Sequence, residues 1–261
     1  MRTGTRAFGS AYACAAYAFL YLPIVVLIVY SFNRDGVGGF PPQHWTFAWY
    51  RILFDDSAML NAVGNSVIVA LSTVVLSMLI GFPAAYALDR YAFPGKAILQ
   101  RLVLLPLIVP GVITGISLLL LTVSSGFHLS LVTVILGHST ALTAVATTEI
   151  FAGLSKLDRS LEEASADLGA SRMQTMLRIV LPGLSTSLLG TALLVFTLSM
   201  DEIAVTFFLI GRENTLPLEI WSRLRRGATP EMNAIATLIF LFSVLTIFLS
   251  QWLTTRQTSS R

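Results

Sequence analysis

The sequence predicts an all-α membrane protein, and three observations carry that expectation. Apolar residues make up 55% of the 261 positions and charged residues only 12%, against about 45–50% and about 25% in soluble domains. Long runs carry no charge, at 7–33, 60–88, 102–148, 179–200 and 232–255, and a spanning helix needs about 20 predominantly apolar residues. Basic residues gather in the short segments between these runs, where they orient a polytopic chain in its bilayer.

Taken in order, the runs give six helices. The first follows Arg2 and Arg6, as a secretory signal would, but a signal's apolar core is only about 7–15 residues long. This run is long enough to span, so it reads as an uncleaved helix at 11–32. The second helix covers 60–87. The run at 102–148 is too long for one helix and divides at Ser124-Ser125-Gly126, a turn-forming cluster, into spans at 100–122 and 130–152. The fifth and sixth lie at 184–206 and 233–253. The chain is then a single transmembrane domain over 1–261, with one polar loop at 154–183. Between the first two spans, Phe40, Trp45, Phe47, Trp49 and Tyr50 suit a membrane–water interface or an external soluble partner. Pro83, Pro106 and Pro110 loosen helices whose neighbours re-satisfy the freed carbonyls. Gly111 and Gly115 form a face for close helix approach, although ordinary packing would explain either feature.

Six spans put both termini on one side. With that side in the cytoplasm, eleven of the seventeen Lys and Arg residues lie inside. Six lie outside: Arg34, Arg51, Arg212, Arg223, Arg225 and Arg226. The majority supports the orientation. Arg223, Arg225 and Arg226 oppose it, and either make specific contacts or sit on a loop that folds back.

Several functions are excluded. The single cysteine, Cys14, offers no disulfide framework, and its place early in the first run argues against a lipid anchor. A net charge of +3, dispersed in short loops, is no nucleic-acid footprint. His44, His128 and His138 are scattered without metal-ligand spacing, so neither a catalytic nor a metal site is expected. There is no G-x-x-x-x-G-K-[ST] phosphate loop; Gly95-Lys96 is followed by Ala97. The chain is expected to bind no cofactor and to perform no ATP chemistry itself.

The polar loop from Lys156 to Arg178 reads as two short helices at the membrane surface. Ser160 and Glu163 form a capping box; Leu161, Ala164 and Leu168 share one face; Gly169 suits a left-handed C-terminal cap. Ser171 and Gln174 repeat the capping signature, with Met173, Met176, Leu177 and Val180 as the next apolar stripe, and Pro182 closes the second helix. On this evidence alone the stripes pack on the spans as readily as on a partner. Glu149, at the inner end of the fourth span, snorkels or pairs with Lys156.

The order Glu163-Ala164-Ser165, three residues, Gly169, nine residues, Ile179-Val180-Leu181-Pro182 resembles the EAA loop of ABC-importer permeases. The one departure is Ser165, where the family has a second alanine. The resemblance implies the type I ABC importer permease fold, six helices with cytoplasmic termini, and a coupling helix that docks on a separate ATP-hydrolysing subunit. Glu163, Ala164, Ser165, Gly169, Ile179, Leu181 and Pro182 would form that coupling element, with ATP and Mg held by the partner. Further similarity narrows the family. Leu105-Pro106-Leu107-Ile108-Val109-Pro110, Ser199-Met200-Asp201-Glu202, Thr215-Leu216-Pro217-Leu218 and the stretch 225–234 resemble the second permease subunit of spermidine/putrescine importers. This implies a bacterial inner-membrane protein that works with a homologous permease, an ATPase dimer, a periplasmic binding protein and membrane lipid, and with no nucleic acid.

Asp201 and Glu202 are the candidate substrate-pathway residues, because carboxylates at membrane depth are expensive and usually functional. At 1.5 Å per residue they stand about 28–30 Å beyond Pro182, near the outer end of the fifth span. There they would attract a polyvalent cation, or else face interfacial water and pair with Arg212 or another outer-loop arginine. Another small solute in the same family, or a stand-alone ion-driven transporter, are the alternatives. The second usually shows internal repeats and midplane sites, and no repeat is visible between the halves.

Overall fold

The computed structural model describes residues 2–35, 41–227 and 229–258, with side chains over 9–35, 41–227 and 229–245. Phe40, Ala228 and Arg261 therefore lie outside the described residues. Among those described there is no strand, only an isolated bridge between Asn33 and Trp45. The chain divides into two compact units, residues 1–60 with 220–261, and residues 61–219.

In the first unit, α1 (Arg2–Tyr30) and α2 (Ala48–Asp55) each pack on α13 (Pro230–Thr258). The chain between α1 and α2 is pinned by its aromatic residues. The Trp49 indole donates to the Asn33 carbonyl at 2.8 Å, the Tyr50 and Ser31 hydroxyls meet at 2.7 Å, and the Phe32, Phe47 and Tyr50 rings pack edge-on or tilted against one another. Trp45 and Phe47 remain exposed, as an interfacial anchor requires. One of the unexpected arginines finds its contact here: Arg223 pairs with Asp56, just past α2. That guanidinium is the main reason the Asp56 carboxyl is held below its ordinary value.

The second unit holds most of α3 (Ser57–Arg90), then α4 (Lys96–Ile108), α5 (Gly111–Ser124), α6 (Leu131–Leu154), α7 (Ser160–Asp167) and α8 (Arg172–Thr175). A π-helical turn at Met176–Val180 continues into α9 (Leu181–Gly183), α10 (Ser185–Met200) and α11 (Ala204–Leu209). The segment that follows runs into α12 (Leu216–Arg226); the Asn65 side chain donates to the Asn214 carbonyl, and the Leu216 N–H donates to Ser66. Two buried clusters organise the unit. Ala85, Ala146, Ile150, Leu154, Val180, Leu184 and Val195 pack beneath the polar loop. Val69, Val134, Val205 and Leu209 pack at the other end of α6.

Among the described residues, three single helices are long and apolar enough to cross a membrane, at Gly9–Tyr30, Ser57–Arg90 and Leu131–Leu154. Two further pairs qualify only as bent units, and these correct the simple spans read from the sequence. The third span is not one helix: α4 and α5 meet at 101°. Pro110 has no N–H to continue α4 and pushes the residue before it out of the helical region; Val109 is extended at ψ 127. The fifth span is also interrupted. The chain bends by 69° between Gly183 and Ser185, and helix is lost again over 201–203. Pro182 does not end its helix, which runs without a break from Arg172 to Gly183. The bend falls two residues later, at Leu184.

Candidate functional site

The polar loop is built as a rigid presentation device. Helix α7 ends in a complete glycine cap: Gly169 takes φ 81, its N–H reaches the Ala166 carbonyl at 2.9 Å, and the Ala170 N–H reaches Ser165 at 3.1 Å. This is the paired bonding of a Schellman motif, as the sequence led one to expect. The Ser171–Gln174 capping box also forms, with both reciprocal bonds present. The expected box at Ser160 and Glu163 does not. Asp158 takes over that end, accepting from the Ser160 N–H at 2.9 Å; this bond holds its carboxyl below the ordinary value.

Glu163 is consequently left exposed and without an ion pair among the described residues. Its neighbour Glu162 does the anchoring. Its carboxylate accepts from Arg90 at 2.7 Å and from the Tyr86 hydroxyl at 3.0 Å, tying α7 to the end of α3. Asp89 beside it pairs with Arg90 and with Arg159. These groups surround an open cavity of 320 Å³ whose rim includes Glu163, Ala166, Ala170 and Arg172. The adjacent carboxylates thus have different situations, one engaged with the scaffold and one facing outward. Glu149 is exposed too and makes no ion pair with Lys156 among the described residues.

Ser165, the departure from the alanine pattern, is buried, and its hydroxyl meets that of Thr175 at 2.9 Å. The substitution adds a polar link between α7 and α8. Ala164 is exposed, Ile179 and Leu181 are half-buried, and Pro182 is exposed. The expected apolar stripes pack on the spans only in part, through Met176 and Val180. Leu168 is 88% exposed, Met173 66%, Leu177 57% and Leu161 49%, whereas Val180 is fully buried. A loop fixed at its base by Val180, Leu184 and Glu162 therefore holds an uncovered apolar surface beside a free carboxylate.

The second region is the break between α10 and α11. Asp201 and Glu202 occupy it, not the outer end of a continuous helix, because the bend at Leu184 stops length from accumulating along one axis. The level of the break is fixed by α6. His138, buried in α6, lies 2.8 Å from Ser199 on one side of the break and 2.8 Å from Thr206 on the other. It stands about 10 Å along α6 from Leu131. At the α6 terminus, Thr133 donates to the Leu209 carbonyl at 2.7 Å, so α11 lies beside the first turns of α6. A methyl at Gly137 would come within 2.3 Å of Leu209, and one at Gly115 within 3.1 Å of the Ala204 carbonyl. The Gly111–Gly115 face thus serves close approach of α5 to α11.

The two acidic residues differ here as well. The Glu202 carboxylate accepts from the Val205 N–H at 2.8 Å, satisfying one orphan donor at the start of α11. Asp201 is exposed and has no ion pair among the described residues; Arg212 does not reach either of them. Around Asp201 the last carbonyls of α10 present partial negative charge. The locus suits a cation. Among the described residues no three His, Cys, Asp or Glu side chains converge as a metal would require.

Sequence reasoning missed Glu162, Arg90 and His138. The adjacent Asp89-Arg90 at the end of a span was a usable signal for the first two. His138 was weighed only as a metal ligand, although an imidazole inside an apolar helix demands hydrogen-bond partners whatever its role.

Comparison with known proteins gives one consistent picture. Residues 77–259 match the family model described as binding-protein-dependent transport system inner membrane component. The chain is 34% identical over 246 residues to the spermidine/putrescine transport system permease protein PotC of Haemophilus influenzae, covering 94% of this chain and 95% of the relative. It is 36% identical over 253 residues to the putrescine transport system permease protein PotI of Escherichia coli, covering 94% and 90%. Among solved structures, a chain of a bacterial ABC transporter that imports the acidic polysaccharide alginate matches with a TM-score of 0.72 at 16% identity, covering 97% of each chain. A chain of the inward-facing MetNI methionine ABC transporter matches with a TM-score of 0.59 at 18% identity, covering 76% of this chain and 94% of that one.

Proposed function

The chain belongs to the family of binding-protein-dependent transport system inner membrane components, and from that premise we propose that it forms half of the translocation pore of an ATP-driven polyamine importer. It is a multi-pass inner-membrane protein of transport. In this reading it crosses the membrane six times with both termini in the cytoplasm, the two bent pairs each serving as one span and α13 as the last. It pairs with a homologous permease, two copies of an ATPase and a periplasmic binding protein, and it carries no nucleotide itself.

The observation that carries the proposal is the loop at 160–177. Leu161, Leu168, Met173 and Leu177 are uncovered while their backbone is capped at every turn, and Glu163 is unpaired beside them. Apolar side chains held in place yet left in solvent mark a surface that another protein covers. The loop's base runs directly into α10 through Val180 and Leu184 and is tied to α3 through Glu162 and Arg90. Movement imposed on the loop by a closing ATPase dimer is therefore delivered to two spans as a unit. At the far end of α10 lies the break with Asp201, which offers a carboxylate and helix C-terminal carbonyls to a polyvalent cation passing through. Glu202 supports the break by capping α11.

The polyamine assignment follows the function for which those relatives are named, which the chain matches over nearly its whole length. To test it, the tagged chain is solubilised from its native membrane in mild detergent and its co-purifying proteins are identified. An ATPase with a phosphate loop and a second permease are expected, and ATP hydrolysis by that complex with its binding protein should rise on adding spermidine or putrescine. A chain isolated alone, still transporting in liposomes without ATP, would overturn the reading.

A further inference from the structure

We propose that His138 is a positioning residue for the cation pathway, clamping both sides of the α10–α11 break and thereby fixing where Asp201 stands. This rests on the importer reading given above. His44 and His128 are exposed, but His138 is 2% exposed and lies two turns into an apolar helix. A buried polar ring there costs free energy unless its nitrogens are satisfied. Both are: Nδ1 by the Ser199 hydroxyl and Nε2 by the Thr206 hydroxyl, each at 2.8 Å. Ser199 belongs to the last turn of α10 and Thr206 to the first turn of α11, so the three non-helical residues 201–203 are bracketed by a single imidazole.

The network also fixes the protons. The Thr206 hydroxyl donates to the Glu202 carbonyl at 2.9 Å, so its oxygen receives the Nε2–H of His138. Nδ1 is then bare and accepts from the Ser199 hydroxyl. Every polar atom of a neutral ring is used, and the Glu202 carboxylate is held separately by the Val205 N–H. Size alone does not explain the residue. The adjoining Gly137 leaves space so tight that a methyl would strike Leu209 and Val205, and a leucine or phenylalanine would fill the ring's place without recruiting two hydroxyls. What an aliphatic side chain cannot do is hold two half-helices in register through hydrogen bonds, with Asp201 left outside the network and facing the route.

The test uses the complete importer in proteoliposomes, with radiolabelled spermidine as the probe and uptake normalised to assembled complex. His138→Leu should lower the maximal rate about three- to tenfold, the range of interhelical hydrogen bonds in membranes. The half-saturating concentration, governed by the external binding protein, should change less than twofold. His138→Gln, which keeps one donor and one acceptor, should recover most of the rate. Adding Ser199→Ala to His138→Leu should cost nothing further, because the bond from that hydroxyl to the ring is already lost. Wild-type rates per complex in His138→Leu would overturn the proposal, as would losses from the two substitutions that multiply. If the wild-type complex does not take up spermidine, the polyamine reading fails, and the clamp is read instead from thermal unfolding of the purified chain. Non-additive shifts for His138→Leu and Ser199→Ala, with recovery by His138→Gln, then support it; additive shifts reject it.

Discussion

Leu168 is the most informative single residue to perturb, because its burial in the isolated chain is known and nearly nil. At 88% exposure it contributes little to folding, and Leu168→Ser should leave the unfolding midpoint of the purified chain unchanged, within about 0.5 kcal/mol of stability. If an ATPase covers it, the situation in the complex is different. Full burial of a leucine is worth about 1.5–3 kcal/mol, and 1.4 kcal/mol is about a factor of ten in affinity. The variant should therefore bind the ATPase roughly ten- to a hundredfold more weakly. The assay titrates purified ATPase onto immobilised, detergent-solubilised permease, wild-type and variant side by side, with unfolding measured on the same samples. Unchanged affinity for Leu168→Ser would refute the argument that this uncovered stripe is a docking surface. A large fall in intrinsic stability would show that Leu168 belongs to the fold after all.

Four further outcomes follow from the same geometry. Gly169→Ala meets no atom within 4 Å, so its cost is the left-handed backbone alone, about 1–2 kcal/mol; it should weaken ATPase capture, whereas Gly126→Ala, at a similar φ of 75 and equally open, should not. Ser165→Ala removes the bond to Thr175, but Thr175 keeps its bond to the Ser171 carbonyl, so the thermal midpoint should record a loss of no more than about 1 kcal/mol. Asp201→Asn should reduce spermidine uptake at saturation without altering membrane levels of the chain, while Glu202→Gln, still able to accept from Val205, should transport better than Asp201→Asn. The Asp56–Arg223 pair sets an acid limit: with the folded carboxyl below its ordinary 3.8, its stabilisation is complete above that value and is lost as pH falls through the lower folded value. Thermal midpoints measured down to pH 3 should decline for the wild type and decline less for Asp56→Asn.

The sequence made the loop legible in some detail, because its signals are local. Gly169 needs φ above zero for its cap, and Ser171 with Gln174 needs only three residues to form a box. Charge-free runs likewise located the apolar helices. The failures share a cause in longer-range geometry. Ser160 and Glu163 satisfied the capping spacing, yet Asp158 two residues earlier supplied a competing acceptor that spacing rules do not rank. The 101° turn at Val109–Pro110 was signalled by the proline, but its magnitude depends on α5 packing against α11 across Gly111 and Gly115. Nothing local distinguishes Glu162 from Glu163; the difference arises from Arg90 and Tyr86, more than seventy positions away in the chain. The break at 201–203 contains no proline or glycine, and it is held by a histidine on another helix.

The π-helical turn at Met176–Val180 has a bearing on how this loop can change over time. In that turn the Leu181 N–H reaches back to the Met176 carbonyl, one residue further than an α-helix allows. It amounts to a single extra residue carried between the loop and the helix it drives. Deleting one residue there would let ordinary α-helical bonds run as far as Leu181, while Pro182 donates none in either case. The same deletion would rotate everything upstream by about 100°, the angular step of one residue in a 3.6-residue turn. Such a variant would be well folded and misaligned, with Leu168 and Glu163 aimed at the wrong quarter. The register of the loop is thus a heritable setting distinct from its composition, and single-residue insertions or deletions between 176 and 180 should uncouple the chain more completely than most substitutions.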